Sequence, residues 1–213
     1  MKIRVLLADD HAMMRDGLQA LLKTAADIEV VASVGNGREA LARTMALKPD
    51  VVIMDVTMPE MNGIEAANLL REKHPEIRIV MLSMHSSSEH VYRALQAGAS
   101  GYLLKESAGA EIISAVRAVY AGRSFMSSAL ESLERRSGTR AGGAGPLASL
   151  STRERQVLQL VVEGRSSAEI AVLVHLSPKS VETYRSRLMK KLGIADVTGL
   201  VKFAIQHGLT PPG

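Results

Sequence analysis

Over the first 122 residues, short apolar runs alternate with longer stretches in which apolar residues recur at helical spacing. "IRVLLAD", "VVASVG", "VVIMD", "IRIVMLS" and "GYLLK" have the texture of strands, each short and bounded by polar or turn residues. Between them, "RDGLQALLKTA", "GREALARTMA", "GIEAANLLREKH", "SEHVYRALQAG" and "GAEIISAVRAVYAG" carry apolar residues three and four apart, as helices with one buried face do. Five alternating strand and helix units predict a doubly wound α/β domain. Its parallel sheet has helices on both faces and its functional groups at the carboxyl ends of the strands.

Beyond Phe125 the periodicity fades into "SSALESLERRSGTRAGGAGPLAS", polar and then rich in glycine and alanine. Residues 123–148 are read as a linker, flexible from about residue 135. From Leu150 the pattern is helical again, with marked starts and stops. Ser151 with Glu154, and Ser166 with Glu169, have capping-box spacing, Gly164 ends the first helix, and Ser177-Pro178 puts a cap before a proline at the first helical position. A fourth helix runs from Val197 to about His207. The division predicted is therefore an α/β domain over 1–122, a linker over 123–148 and a small all-α domain over 149–213.

A chain of 213 residues is long enough for two such cores. It contains no cysteine, which excludes disulfides and thiolate metal sites and suits a cytoplasmic protein. The start "MKIRVLLADDH" is too short in its apolar run and too acidic for a signal peptide, and no run of roughly 18 apolar residues occurs, so no membrane partner is expected. Charge is divided unevenly: residues 1–130 hold 14 Lys and Arg against 15 Asp and Glu, whereas residues 131–213 hold 12 against 7. The basic excess belongs to the second domain and points to a polyanion there.

In the first domain, chemistry-bearing residues fall at the strand ends. Asp9 and Asp10 close the first strand, Asp55 the third, Ser83 the fourth and Lys105 the fifth, and in a doubly wound sheet these strands are neighbours. Converging carboxylates repel one another, and a divalent cation with oxygen ligands relieves the repulsion. Mg2+ fits, since it takes one or two carboxylates, keeps waters and binds phosphoryl oxygen. Asp55 could then act as a nucleophile toward a phosphoryl group whose charge the metal and Lys105 offset, with Ser83 donating a hydrogen bond to the product.

The segments "LLADDH", "DVTMPEMNG", "LSMH" and "GYLLKES" resemble those of two-component receiver domains, which have the (βα)5 flavodoxin-like fold. The resemblance implies Asp55 as phosphoacceptor and Asp10, Asp55 and the backbone carbonyl of Thr57 as Mg2+ ligands. It further implies Asp9 as a nearby acid, Lys105 as phosphoryl partner, and Ser83 with Tyr102 as a switch pair. Phosphorylation would draw Ser83 inward and let the Tyr102 ring move, repacking the face formed by the fourth helix, fifth strand and fifth helix.

The second domain places two helices around a tight turn, the later one with Val181, Tyr184, Leu188 and Leu192 toward the core and a basic polar face outward, the form of a helix-turn-helix. "LSTRERQVLQL", "EIAVLVHLS" and "SVETYRSRLMKKLGI" resemble the LuxR-type helix-turn-helix, and the whole chain resembles response regulators of the NarL/FixJ class. By matching position, residues 167–186 form the motif and residues 178–192 the recognition helix. Glu182, Thr183 and Ser186 then face base edges, and Lys179, Tyr184, Arg187 and Lys191 face phosphates. In the last helix, Leu200, Val201, Ala204 and Ile205 either form a dimer seam or close the core.

The expected function is a DNA-binding response regulator controlled by phosphorylation at Asp55. Its partners would be a sensor histidine kinase, double-stranded promoter DNA, RNA polymerase at the promoter and a second copy of itself once phosphorylated. It would not be a turnover enzyme. Two alternatives stay open: a phosphohydrolase passing through an aspartyl-phosphate, disfavoured because Thr57 stands where such enzymes place a second Asp, and a DNA-binding regulator indifferent to phosphorylation.

Overall fold

The computed structural model describes residues 2–130, 146–207 and 209. Five strands appear where the apolar runs lie: β1 (Ile3–Ala8), β2 (Ile28–Val34), β3 (Val51–Asp55), β4 (Arg78–Ser83) and β5 (Gly101–Leu104). The intervening helices are α1 (Ala12–Lys23), α2 (Gly37–Leu47), α3 (Gly63–Lys73), α4 (Ser88–Gln96) and α5 (Ala108–Tyr120). Helix α1 begins three residues before the periodic stretch, because His11 is extended and its N–H is held by Asp9 Oδ1 at 2.8 Å, turning the chain directly off β1.

The strands are parallel in the order β2-β1-β3-β4-β5-β6, where β6 (Phe125–Met126) is an addition to the expected five. Phe125 and Met126 pair with Gly101 and Tyr102, and Leu130 is buried in the first domain's core. Both ends of the expected linker are thus ordered: Phe125 and Met126 complete the sheet, Leu130 packs beneath it, and a 3-10 turn, Pro146–Ser149, buries Leu147 in the second domain. The reason is apolar surface, since Phe125, Leu130 and Leu147 gain more by packing than by solvation. The middle of the linker, 131–145, lies outside the described residues.

Strand alternation sorts the core into two layers. Leu6, Val52, Met54, Ile79, Met81 and Tyr102 pack toward α3 and α4, through Ala66, Leu70, Val91 and Ala94. Val5, Leu7, Ile53, Val80, Leu82 and Leu103 pack toward α1 and α5, through Leu18, Leu22, Ile112 and Val116. All five residues of β3 are buried, as a central strand covered on both faces requires.

The second domain has its own core and four helices: α6 (Thr152–Val162), α7 (Ser167–Leu173), α8 (Pro178–Leu192) and α9 (Val197–Gln206). Both capping boxes form, and Ser177 Oγ accepts the Ser180 N–H ahead of Pro178. Gly193 ends α8 in the left-handed conformation that favours glycine. Among the described residues, no helix is long and apolar enough to cross a membrane.

Candidate functional site

The carboxyl ends of β1, β3, β4 and β5 bring the predicted residues together. Asp9, Asp55 and Ser83 are buried, while Asp10 is partly exposed. Lys105 follows β5, and its Nζ lies 2.7 Å from Asp55 Oδ2 and 2.8 Å from Asp9 Oδ2. Asp10 Oδ1 stands 2.7 Å from His11 Nδ1. One ligand atom from each of Asp9, Asp10, His11 and Asp55 falls within 4.8 Å of the others, so the cluster can hold a metal ion. Asp9 Oδ2 meets the Lys105 ammonium and Asp10 Oδ1 the His11 ring, and each carboxylate keeps oxygen lone pairs suited to a hard cation.

Electrostatics in this cleft are opposed rather than balanced. Burial pushes the Asp55 carboxyl up to about 7, Lys105 pulls it back, and the Asp9 carboxylate adds to the rise. For Lys105, burial acts to lower the pKa, but the Asp55 and Asp9 carboxylates outweigh it and hold the ammonium above its usual range.

The loop after Asp55 folds back on it. Thr57 N–H reaches Asp55 Oδ1 at 3.2 Å, and Gly63 N–H bonds the Val56 carbonyl at 2.9 Å. A Cβ on Gly63 would lie 2.1 Å from the Asp55 carbonyl oxygen, so only glycine permits this return. Ser83 and Tyr102 meet through one backbone segment: Ser83 Oγ accepts the His85 N–H at 3.0 Å, and Tyr102 donates its hydroxyl to the His85 carbonyl at 2.8 Å. The Tyr102 ring is fully buried, and burial pushes its hydroxyl up to about 12. Because β6 flanks β5, Tyr102 is not on an edge strand.

This cleft belongs to a described family. Residues 5–117 match the model of the response regulator receiver domain, and residues 148–204 match that of bacterial regulatory proteins of the luxR family. The chain is a response regulator. Transcriptional regulatory protein MctR of Rhizobium johnstonii is 41% identical over 209 residues, covering 98% of this chain and 95% of that one. Response regulator protein VraR of Staphylococcus aureus is 39% identical over 210 residues, covering 98% and 99%. Among solved structures, a LuxR-family response regulator from Aurantimonas has a TM-score of 0.61 at 36% identity, covering 64% of this chain and 99% of that one. The response regulator RcsB of Salmonella typhimurium has a TM-score of 0.67 at 23% identity, covering 98% of each chain, a likeness of fold.

The response regulator's LuxR-type DNA-binding domain presents Lys179, Glu182, Thr183, Ser186 and Arg187 as exposed residues on α8, with Val181 and Leu188 buried and Tyr184 packed partly against the core. Three of the predicted contact residues are engaged locally. Ser167 donates to the Glu182 carboxylate, Thr183 Oγ1 bonds the Lys179 carbonyl at 3.0 Å, and Lys191 Nζ pairs with Glu154 at 2.7 Å. Lys191 is thus a brace between α8 and α6, a role the charge pattern did not reveal. In α9, Leu200 and Ala204 are buried in the core, while Val201 and Ile205 are only partly covered.

The seam between the domains left little trace in the sequence pattern. Gln159 of α6 is fully buried, yet it lies in an apolar run, "VLQLVV". Its Oε1 accepts from Asn62 N and Nδ2 at 3.0 and 2.9 Å, and its Nε2 donates to the Met58 carbonyl at 2.6 Å. Glu163 accepts the Glu60 N–H, and Arg93 of α4 donates to the His207 carbonyl at 3.1 Å. A lone amide inside an apolar helical stripe was the available signal.

Proposed function

We propose that this response regulator receives a phosphoryl group on Asp55 from a sensor histidine kinase and converts that event into a change in promoter occupancy. The observation that carries the reading is the Lys105 ammonium set between Asp55 and Asp9 inside an acidic cluster at adjoining strand ends. Asp10, Asp55 and the Thr57 carbonyl would hold Mg2+, which when bound offsets charge on the incoming phosphoryl oxygens. Asp55 forms the new O–P bond as the donor's P–N bond breaks, and Lys105 pairs with the transferred group. Ser83 turns from the His85 N–H toward that group, which frees the segment whose carbonyl anchors Tyr102.

On this reading the face formed by α4, β5 and α5 repacks and brings two copies together. Paired α8 helices then enter successive major grooves of cytoplasmic double-stranded DNA, where RNA polymerase acts. Thr57 offers no acid for rapid hydrolysis, which favours a held signal over turnover. The test is phosphate incorporation from a small phosphodonor with Mg2+. Wild type should take up hydroxylamine-sensitive label and protect a promoter more strongly after labelling. Asp55→Asn should do neither, and continued labelling of that variant would overturn the site.

A further inference from the structure

The seam between the domains touches the receiver at the loop that leaves the phosphoacceptor. Gln159 closes this loop at both ends, bonding the Met58 carbonyl and both nitrogens of Asn62 that face it. Glu163, steadied by a 2.9 Å bond from Gln159 Nε2, accepts the Glu60 N–H between them. Glu60 is held at φ 64, a left-handed conformation uncommon for a side-chain-bearing residue, so the outside bonds join the internal Met61 N–H to Pro59 carbonyl bond in holding a strained turn. Met58 is the immediate neighbour of Thr57, whose N–H already bonds Asp55.

We propose that Gln159 is a positioning residue for the receiver's metal and phosphoryl site, supplied by the DNA-binding domain. It aligns the 57–62 loop, and with it the Thr57 carbonyl, before a cation arrives. The inference rests on the reading of the acidic cluster as a Mg2+ site. Partners that orient ligands from outside the coordination sphere commonly govern metal affinity, because an unaligned ligand must be ordered on binding. Coupling of this kind is reciprocal: Mg2+ in the receiver tightens the docking of α6, and undocking weakens the hold on Mg2+. Docking through α6 leaves Lys179, Glu182, Thr183, Ser186 and Arg187 of α8 exposed, so the docked domain keeps its DNA-facing surface open.

The test uses the full chain, Mg2+ alone and two readouts, titration calorimetry and amide hydrogen exchange. Gln159→Ala should weaken Mg2+ binding by about fivefold or more. It should also speed exchange at Glu60 and Asn62 by about tenfold, with β4 amides unchanged as proof of folding. In wild type, Mg2+ should slow exchange at those two amides. Gln159→Glu keeps the acceptor for Asn62 and loses the donor to Met58, so it should fall on the weakened side as well. A loosened loop with unchanged or tighter Mg2+ binding overturns the proposal, as does unchanged exchange in both variants. Mg2+ binding that Asp10→Asn leaves intact, or its absence from wild type, overturns the reading of the acidic cluster itself.

Discussion

Lys105 Nζ stands 2.7 Å from Asp55 Oδ2, an ion pair almost wholly removed from solvent. It is also 2.8 Å from Asp9 Oδ2, so one ammonium serves two buried carboxylates. Removing it leaves those charges without their cation, which is more damaging than never having paired them. Lys105→Ala should therefore lower phosphoryl uptake at Asp55 by tenfold or more, equivalent to about 1.4 kcal/mol of transition-state stabilisation. Mg2+ binding should survive, since the ligand oxygens remain. Labelling rates and Mg2+ titration on the same preparation check this. Wild-type labelling in the variant would show that the lysine is structural.

Glu65 of α3 is buried, and among the described residues neither of its carboxylate oxygens has a hydrogen-bond partner. Burial raises its pKa to about 8, against the pull of Arg155 from α6 and Arg93 from α4. Its ordinary value is 4.5, so between pH 4.5 and about 8 the folded chain keeps a proton that the unfolded chain has released. The stability this group contributes is complete below pH 4.5 and is lost progressively as pH rises through 8. Glu65→Gln removes that dependence. The variant should match wild type near pH 5 and exceed it by roughly 1–3 kcal/mol near pH 8. Urea unfolding at both pH values, compared as a difference between the two chains, gives the answer. An equal difference at the two pH values would show that Glu65 is ionised throughout.

Much of this was legible because it is periodic or terminal. The β3 run and the alternation around it fixed the sheet, and the strand ends then placed Asp9, Asp10, Asp55, Ser83 and Lys105 side by side. The capping boxes at Ser151 and Ser166 marked the helix starts. Residues acting through a partner's backbone were not legible. Gln159, Glu163 and Glu65 owe their surroundings to the packing of two domains, and local pattern carries no record of that. The Lys191 pair with Glu154 was hidden because charge alone does not show which acid lies within reach. β6 was hidden by its length, two residues being too few to establish alternation.

The hydroxyl of Tyr102 is the ring's polar anchor, held by the His85 carbonyl. Tyr102→Phe keeps the buried volume and removes that bond, and should lower stability by about 1 kcal/mol. If the His85 segment links Ser83 to Tyr102, the same variant should take up phosphate at a near-normal rate yet show a smaller gain in promoter binding. Labelling and footprinting together separate the two effects. Equal gain in variant and wild type would remove Tyr102 from the switch.

Arg187 and Thr183 both lie exposed on α8, and the phosphate and base-edge contacts expected of them have different signatures. An arginine that neutralises one phosphate contributes through counterion release, which is indifferent to base sequence. Arg187→Ala should weaken binding to every DNA by a similar factor and reduce the slope of log affinity against log salt by about 0.9. Thr183 carries a methyl and a hydroxyl, the latter bonded at 3.0 Å to the Lys179 carbonyl, so a base-edge contact by this residue would fall to its methyl. Thr183→Ala should leave the salt slope unchanged and alter preference at one base position, by roughly 1 kcal/mol. Titrations at several salt concentrations against a panel of single-base variants distinguish the two residues. A position-specific effect for Arg187, or a uniform one for Thr183, would reverse their assignments.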